Sequence, residues 1–305
     1  GLRAGFFCSF EVYRTAIFLY FSWQGMGIGV PLPLVHTGRQ GLLPVVALFP
    51  EGSYWYTPLR LSQGERKLAV SGLIDTGCSF CVVDSTFAVD SCRLSGAALT
   101  TSYTRAANGD RVKVHTGVLD RVDFCGTTFL GVKCLVVDLK GKFFAYAPNF
   151  IVGENLLSAQ PLCFDLRNRR LSVGEREGEP VVVLHWQTRE SRDGTFTKGI
   201  YLKGRVGNKK VRFFLDSGGR YNKVNSDLLP AEGREQMDLP RGDISQALRV
   251  QQVQVCRNVE TKVDDWTTRL NFVLTDQSEA VLNFDFLRNT VFVLDYDRRE
   301  IRIIQ

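Results

Sequence analysis

Leu73-Ile74-Asp75-Thr76-Gly77 is echoed 141 positions later (75 to 216) by Phe214-Leu215-Asp216-Ser217-Gly218. In each copy an apolar run delivers one aspartate to a turn made of a hydroxyl residue and a glycine. The apolar strand buries the carboxylate, the glycine lets backbone N–H groups approach it, and the hydroxyl can bond across to the other copy. One such turn is only a turn. A second landmark supports the pairing: Ile151-Val152-Gly153-Glu154-Asn155-Leu156-Leu157 aligns without gaps on Val281-Leu282-Asn283-Phe284-Asp285-Phe286-Leu287, and the match runs on from 164–171 to 294–301, at an offset of 130 (153 to 283). Order and character agree at both landmarks, so the chain reads as an internal duplication.

Two such turns suggest one carboxylate from each half, meeting across a pseudo-twofold axis. Like charges about 3 Å apart cannot both ionise, so the pair shares a proton. Such a pair takes a proton from water, which attacks a carbonyl carbon, while the acid partner protonates the developing oxyanion. Asp75 and Asp216 are therefore the candidate catalytic residues, with Thr76, Ser217, Gly77 and Gly218 as their supports.

These motifs resemble the aspartic proteases in the bilobal pepsin-like arrangement, with lengths closer to two fused retropepsin-like units. Arg105-Ala106-Ala107-Asn108-Gly109 resembles the flap segment of that branch, so Asn108 and Gly109 are candidate substrate-binding residues. The likeness covers about residues 50–305. It implies a mainly β, two-lobed enzyme that cleaves peptides between its lobes, with no metal and no cofactor.

Some positions depart from the family pattern. Asn283 stands where the second half should repeat Gly153, and its side chain is expected to crowd the loop under Asp216. Cys78 and Gly219 follow the two turns where the family often has a small or hydroxyl residue; Cys78 is a poor donor and Gly219 supplies none. Arg220 adds a charge that, pointing inward, would lower the pKa of Asp216. Tyr103 is the nearest tyrosine to the flap. Asp165 and Asp295 also correspond between the halves, but their strand-turn context favours a turn-bonding role.

Around these landmarks the text is β-rich. The runs 112–115 and 118–124 alternate imperfectly, 199–215 reads as a hairpin turning at Gly207-Asn208, and long helices are absent after residue 40. The polar stretch 174–180 reads as a linker, which gives a first lobe over 41–180 and a second over 181–305. Hydrophobic residues at 44% and charged residues at 23% are an ordinary globular mix, which argues against global disorder. The 38 Lys and Arg against 32 Asp and Glu form no block that tracks phosphates, which argues against nucleic acid as a partner. The eight cysteines sit mostly in apolar runs; Cys78-x-x-Cys81 has no second ligand pair, so both read as packing residues. His36, His115 and His185 are isolated and read as surface or strand residues.

Residues 1–40 differ from the rest. No charged residue occurs over 15–38, a length of 24, and about 20 apolar residues cross a bilayer as a helix. Pro31 and Pro33 would end such a helix and Gly25, Gly27 and Gly29 weaken it. A helix near 10–29 as membrane anchor, as a segment buried against a partner, or as a residual targeting segment are three readings of one pattern. The first residue is Gly1 rather than Met, which predicts processing or truncation.

The expected fold is thus mainly β, a two-lobed aspartic-protease-like fold with an N-terminal apolar helix. The expected function is a non-catalytic or weakly active subunit of a larger organellar membrane complex, with the mitochondrion favoured, bound to other protein subunits and to lipid through residues 10–29. The alternative is an active aspartic endopeptidase hydrolysing peptide bonds with Asp75 and Asp216.

Overall fold

The computed structural model describes residues 10–13, 16–19, 32–33, 45–94, 98–106, 110–142, 148–174, 178–188 and 199–304. These residues are mainly β. Among them the helices are short: Ser85–Asp90 and Glu154–Leu157 are α-helical, and Ser226–Leu228 and Phe284–Leu287 are 3-10 turns.

The first half of the chain builds an eight-stranded sheet from Phe49–Glu51 to Phe150–Val152. The strand Arg66–Ile74 carries Asp75 at its end and pairs antiparallel with Tyr54–Gln63, as a hairpin, and parallel with Phe150–Val152. The second half repeats this pattern. Lys209–Leu215 carries Asp216, forms a hairpin with Tyr201–Val206 whose turn is Gly207-Asn208 as the sequence predicts, and pairs parallel with Ala280–Leu282. The registers correspond residue by residue: Ile74 faces Val152 where Leu215 faces Leu282, and Ile151 faces Val82 where Val281 faces Lys223. Each of these strands ends in buried or half-buried apolar residues, Leu73-Ile74 and Phe213-Phe214-Leu215, which is the apolar lead-in to the aspartate that the sequence displays.

The halves share one seam. In the thirteen-stranded sheet, Leu162–Asp165 pairs antiparallel with Val291–Asp295, so that Leu162 faces Leu294 and Phe164 faces Phe292. Positions 292 and 294 are the counterparts of 162 and 164, so exchanging the halves maps the pairing onto itself. Phe164 stacks on Phe292 at 5.0 Å and meets Phe284 edge-on at 5.4 Å, all three fully buried in one core shared by both halves. Aromatic pairs in these geometries add about 0.5–1.5 kcal/mol each beyond the area they bury.

The two alternating runs at 112–115 and 118–124 prove to be one strand, Arg111–Phe124. Its alternation breaks because its partners change. Residues 111–116 pair with Thr100–Arg105 in a projecting hairpin, while residues 121–123 pair with Arg60–Ser62 inside the sheet. Asp165 and Asp295 do bond their turns as expected, accepting from the backbone N–H of Asn168 at 2.9 Å and Arg298 at 3.1 Å. Arg169 and Arg299 close the two turns with matching left-handed φ of 55° and 57°.

The N-terminal apolar helix is not what the described residues form. Phe10–Tyr13, Ala16–Leu19 and Leu32–Pro33 are short antiparallel strands, with Phe10 facing Leu19 and Phe18 facing Pro33. Alternating or β-branched apolar residues suit a strand as well as a helix, and periodicity over such short runs does not separate the two. The rest of 1–44 lies outside the described residues, and among the described residues no helix is long and apolar enough to cross a membrane.

Candidate active site

Asp75 and Asp216 stand at corresponding strand ends, and the structure brings them together. Their carboxyls lie within hydrogen-bonding reach of each other. Each is cradled by the backbone of its own turn. Gly77 N–H donates to Asp75 Oδ1 at 2.8 Å and Cys78 N–H adds a second bond, while Gly218 and Gly219 N–H groups do the same for Asp216. A Cβ on Gly77 would sit 2.7 Å from Asp216 Oδ1, and one on Gly218 would overlap the Asp75 carboxyl. Each glycine is therefore demanded by the opposite half's aspartate, and any side chain there would push the pair apart.

Thr76 and Ser217 lock the two turns together. Thr76 N–H donates to Ser217 Oγ at 3.0 Å and Ser217 N–H to Thr76 Oγ1 at 3.0 Å. Each hydroxyl then donates onward into the opposite strand, Thr76 to the Leu215 carbonyl at 3.0 Å and Ser217 to the Ile74 carbonyl at 2.8 Å. Both residues are buried. Four bonds crossing between the halves hold the aspartates at a fixed separation.

The pair is electrically uneven. Burial raises both carboxyls above their ordinary 3.8, and for Asp75 the neighbouring Asp216 raises it further. For Asp216 the Lys223 ammonium opposes burial, and the hydrogen bond from Asp75 favours its ionised form. The two carboxyls thus share one proton, and titration belongs to them as a unit. Arg220, expected to be the cation acting on Asp216, is aimed elsewhere: its guanidinium lies 5.9 Å from the Tyr54 ring and 5.8 Å from the Tyr221 ring, and Nε donates to Tyr221 Oη at 3.1 Å.

Asn283 does not crowd the loop beneath Asp216. In the first half, backbone N–H groups of Glu154 and Asn155 donate to the carbonyls of Cys78 at 2.8 Å and Ser79 at 3.3 Å, and a Cβ on Gly153 would lie 2.5 Å from the Phe80 carbonyl group. In the second half the counterpart carbonyls, Gly219 and Arg220, accept from Asn283 Nδ2 at 3.1 and 3.2 Å. Its Oδ1 caps the following turn at Asp285 N–H, 2.9 Å away, and its φ of −97° is ordinary extended backbone. A side-chain amide has replaced two backbone donors. Cys78, by contrast, gives Asp75 nothing through its thiol, which is turned to the Phe80 carbonyl at 3.0 Å.

Two hairpins project beside the site. Thr100–Arg105 pairs with 111–116 on either side of the segment expected to act as a flap, and Asn108 and Gly109 themselves lie outside the described residues. Tyr103 on this hairpin is half-exposed and stacks under Arg111 at 4.1 Å. The second hairpin, Arg234–Asp243 with Gln246–Val263, went unremarked in the sequence. Its tip crosses to the first half: Ile244 packs on the cluster containing Tyr54, Val82 and Leu139, Lys142 Nζ donates to the Ile244 carbonyl at 2.7 Å, and Leu248 N–H donates to the Gly141 carbonyl at 2.8 Å. Tyr54, whose buried hydroxyl feels both aspartates and Arg220, was missed as well. Its signal was the aromatic run Tyr54-Trp55-Tyr56 one strand before Asp75. His115 and His185 lie exposed on strands, as expected, and His36 lies outside the described residues.

A buried, hydrogen-bonded pair of carboxyls from two corresponding turns can hold one proton between them and so offer both an acid and a base at one place. Residues 58–155 match the aspartyl protease family model. The matched stretch holds Asp75-Thr76-Gly77 and Ile151-Val152-Gly153, so the chain is aspartic-protease-like where the first copy of the motifs stands.

Proposed function

We propose that the protein is an aspartic endopeptidase in which Asp75 and Asp216 act together on a peptide bond. The observation that carries this reading is the carboxyl pair itself, with one proton shared and the geometry fixed by the Thr76–Ser217 bonds. Ionised Asp216 takes a proton from a water molecule as its oxygen attacks the scissile carbonyl carbon. Asp75 gives its proton to the carbonyl oxygen, forming a neutral tetrahedral diol. Asp216 then passes its new proton to the amide nitrogen, Asp75 recovers one from a hydroxyl, and the C–N bond breaks with both residues back in their starting state. The backbone cradle from Gly77, Cys78, Gly218 and Gly219 holds the charge without moving.

The competing role, a docking subunit with an idle dyad, predicts that removing either carboxyl changes nothing but stability. The test is cleavage of a mixed peptide library between pH 3 and 7 by the wild type and by Asp75→Asn and Asp216→Asn. Cleavage that disappears in both folded variants supports the endopeptidase. Its absence from the wild type, with the variants at least as stable, decides for the subunit.

A further inference from the structure

In the hairpin of Tyr201–Val206 with Lys209–Leu215 the pairing register sets cation directly against cation. Lys203 faces Arg212, and Arg205 faces Lys210 on one side and Lys262 of the next strand on the other. Residues paired in this way point to the same face of a sheet, and all five are exposed. Like charges directly opposite each other destabilise a sheet. Among the described residues no acid forms an ion pair with Lys203, Arg205, Lys210 or Arg212, and Lys262 has one, with Asp265 at 3.3 Å.

The first half shows that the fold does not need these charges. Its matching hairpin pairs Pro58 with Ser71 and Arg60 with Ala69, and Arg60 faces Asp123 on the next strand. Ser71 and Ala69 stand at the 141 offset from Arg212 and Lys210, and the pair Tyr56 with Leu73 corresponds to Tyr201 with Phe214. The same five places thus hold one arginine beside one aspartate in the first half and five cations in the second. Acids bound the cationic strip on both sides. Asp227 and Glu279 line a shallow groove together with Lys210 and Arg212, while Asp265 and Glu260, the latter paired with Arg269 at 3.7 Å, flank Lys262.

We propose that this strip docks an extended acidic segment of a protein partner, with Asp or Glu at every second position. Along each strand of the hairpin the cations recur at every second residue, about 6.8 Å apart, and an extended peptide presents alternate side chains to one face at the same spacing. Carboxylates placed there relieve the repulsion that the register builds in. The acidic margins restrict what fits. A wide anionic surface, such as a membrane or a nucleic-acid duplex, would meet Asp227, Glu279, Asp265 and Glu260 as well as the cations, whereas a single extended chain meets the cations alone. No aromatic ring stands among the four cations of the hairpin to stack a base, which separates the strip from a platform for single-stranded nucleic acid. The docking does not involve Asp75 or Asp216 and goes beyond the endopeptidase reading.

The test uses the full chain and three short labelled peptides, a Glu-Thr repeat, its isomer with every Glu placed before every Thr, and a Gln-Thr repeat, and reads binding by fluorescence anisotropy at low and high salt. The Glu-Thr repeat is expected to bind about tenfold more tightly than the Gln-Thr repeat, as the sum of several individually weak exposed ion pairs, and to weaken as salt is raised. The isomer is expected to bind less tightly than the repeat. Lys210→Ala combined with Arg212→Ser copies the first half and is expected to lose most of the preference while melting no lower than the wild type, because two like-charge pairs are removed. Lys203→Gln combined with Arg205→Gln is expected to do the same from the other strand. Equal binding of the Glu-Thr and Gln-Thr repeats, or of the repeat and its isomer, overturns the proposal, as does a preference that survives in both folded variants. Tighter binding of oligothymidylate or of phosphatidylserine vesicles than of the Glu-Thr repeat, lost in the same variants, overturns the peptide as the occupant.

Discussion

Asn283 secures the carbonyl of Gly219 by a 3.1 Å bond from its side chain, at the position where the first half has a glycine. The two halves reach the same support for their aspartate turns by different donors, and each solution forbids the other's residue. The first half has no room for a Cβ at Gly153; the second needs one, because the amide that bonds Gly219 and Arg220 is carried on it.

Asn283→Gly is therefore expected to destabilise the chain. Two carbonyls lose their donor, and leaving buried acceptors unpaired costs ~1–3 kcal/mol. Gly153→Ala is expected to cost more, because the new methyl would lie 2.5 Å from the Phe80 backbone. Denaturant unfolding of both variants checks the order, and a neutral Asn283→Gly would contradict the replacement of backbone donors by a side chain.

Thr76 and Ser217 form a cycle of bonds, so their variants should not add. Thr76→Val leaves Ser217 N–H and the Leu215 carbonyl unpaired, and Ser217→Ala does the same for Thr76 N–H and the Ile74 carbonyl. Each is expected to cost about 1–3 kcal/mol, and the double variant less than their sum by ~1 kcal/mol. A double-mutant cycle in urea measures the coupling, and strict additivity would mean that the two turns do not brace each other.

The raised carboxyl of Asp75 makes stability depend on pH in a stated direction. A carboxyl whose pKa is higher folded than unfolded binds more protons in the native state, so its contribution is fully present below the unfolded value near 3.8 and is lost as pH rises through the folded value. The wild type should lose stability from about pH 4 upward through this group, and Asp75→Asn should not. Thermal melts of both proteins from pH 3 to 8 are expected to converge at the acid end and to separate, with the variant higher, toward neutrality.

The core cysteines should be chemically silent. Burial pushes the Cys81 and Cys134 thiols up to about 12, and each is essentially without exposure. Thiolate is the reactive species, so alkylation of the folded chain at pH 8 is expected to spare both and to proceed once the chain is unfolded. Mass spectrometry of iodoacetamide-treated protein reads this directly; rapid labelling of Cys81 in the native state would contradict the packing described.

The sequence carried the local half of this site. Asp-Thr-Gly and Asp-Ser-Gly after apolar runs are contiguous signals, so the aspartates, their glycines and the surrounding strands were readable. What lay across the fold was not. Asn283 looked like an obstruction because its partners, Gly219 and Arg220, are more than 60 residues away in the chain (219 to 283) and become neighbours only through the parallel pairing of 213–215 with 280–282. Lys223 stands at the same 141 offset as Asp216 (82 to 223), yet only the strand register shows that it occupies the place of Val82, within reach of Asp216. The opening apolar residues were read as helix because a run of apolar letters does not by itself separate helix from strand.

The strand seam at Leu162 and Leu294 has a consequence for any separated piece of this chain. Because the facing residues are counterparts of each other, Leu162–Asp165 from one molecule matches in register and character the same strand from another molecule turned through half a revolution. A fragment ending after the first half would expose that strand's hydrogen-bonding edge together with Phe164, and the surface best shaped to cover both is its own image. Cutting the polypeptide in two would therefore favour a symmetric pair of first halves, each lending one Asp75, over a solitary half-molecule.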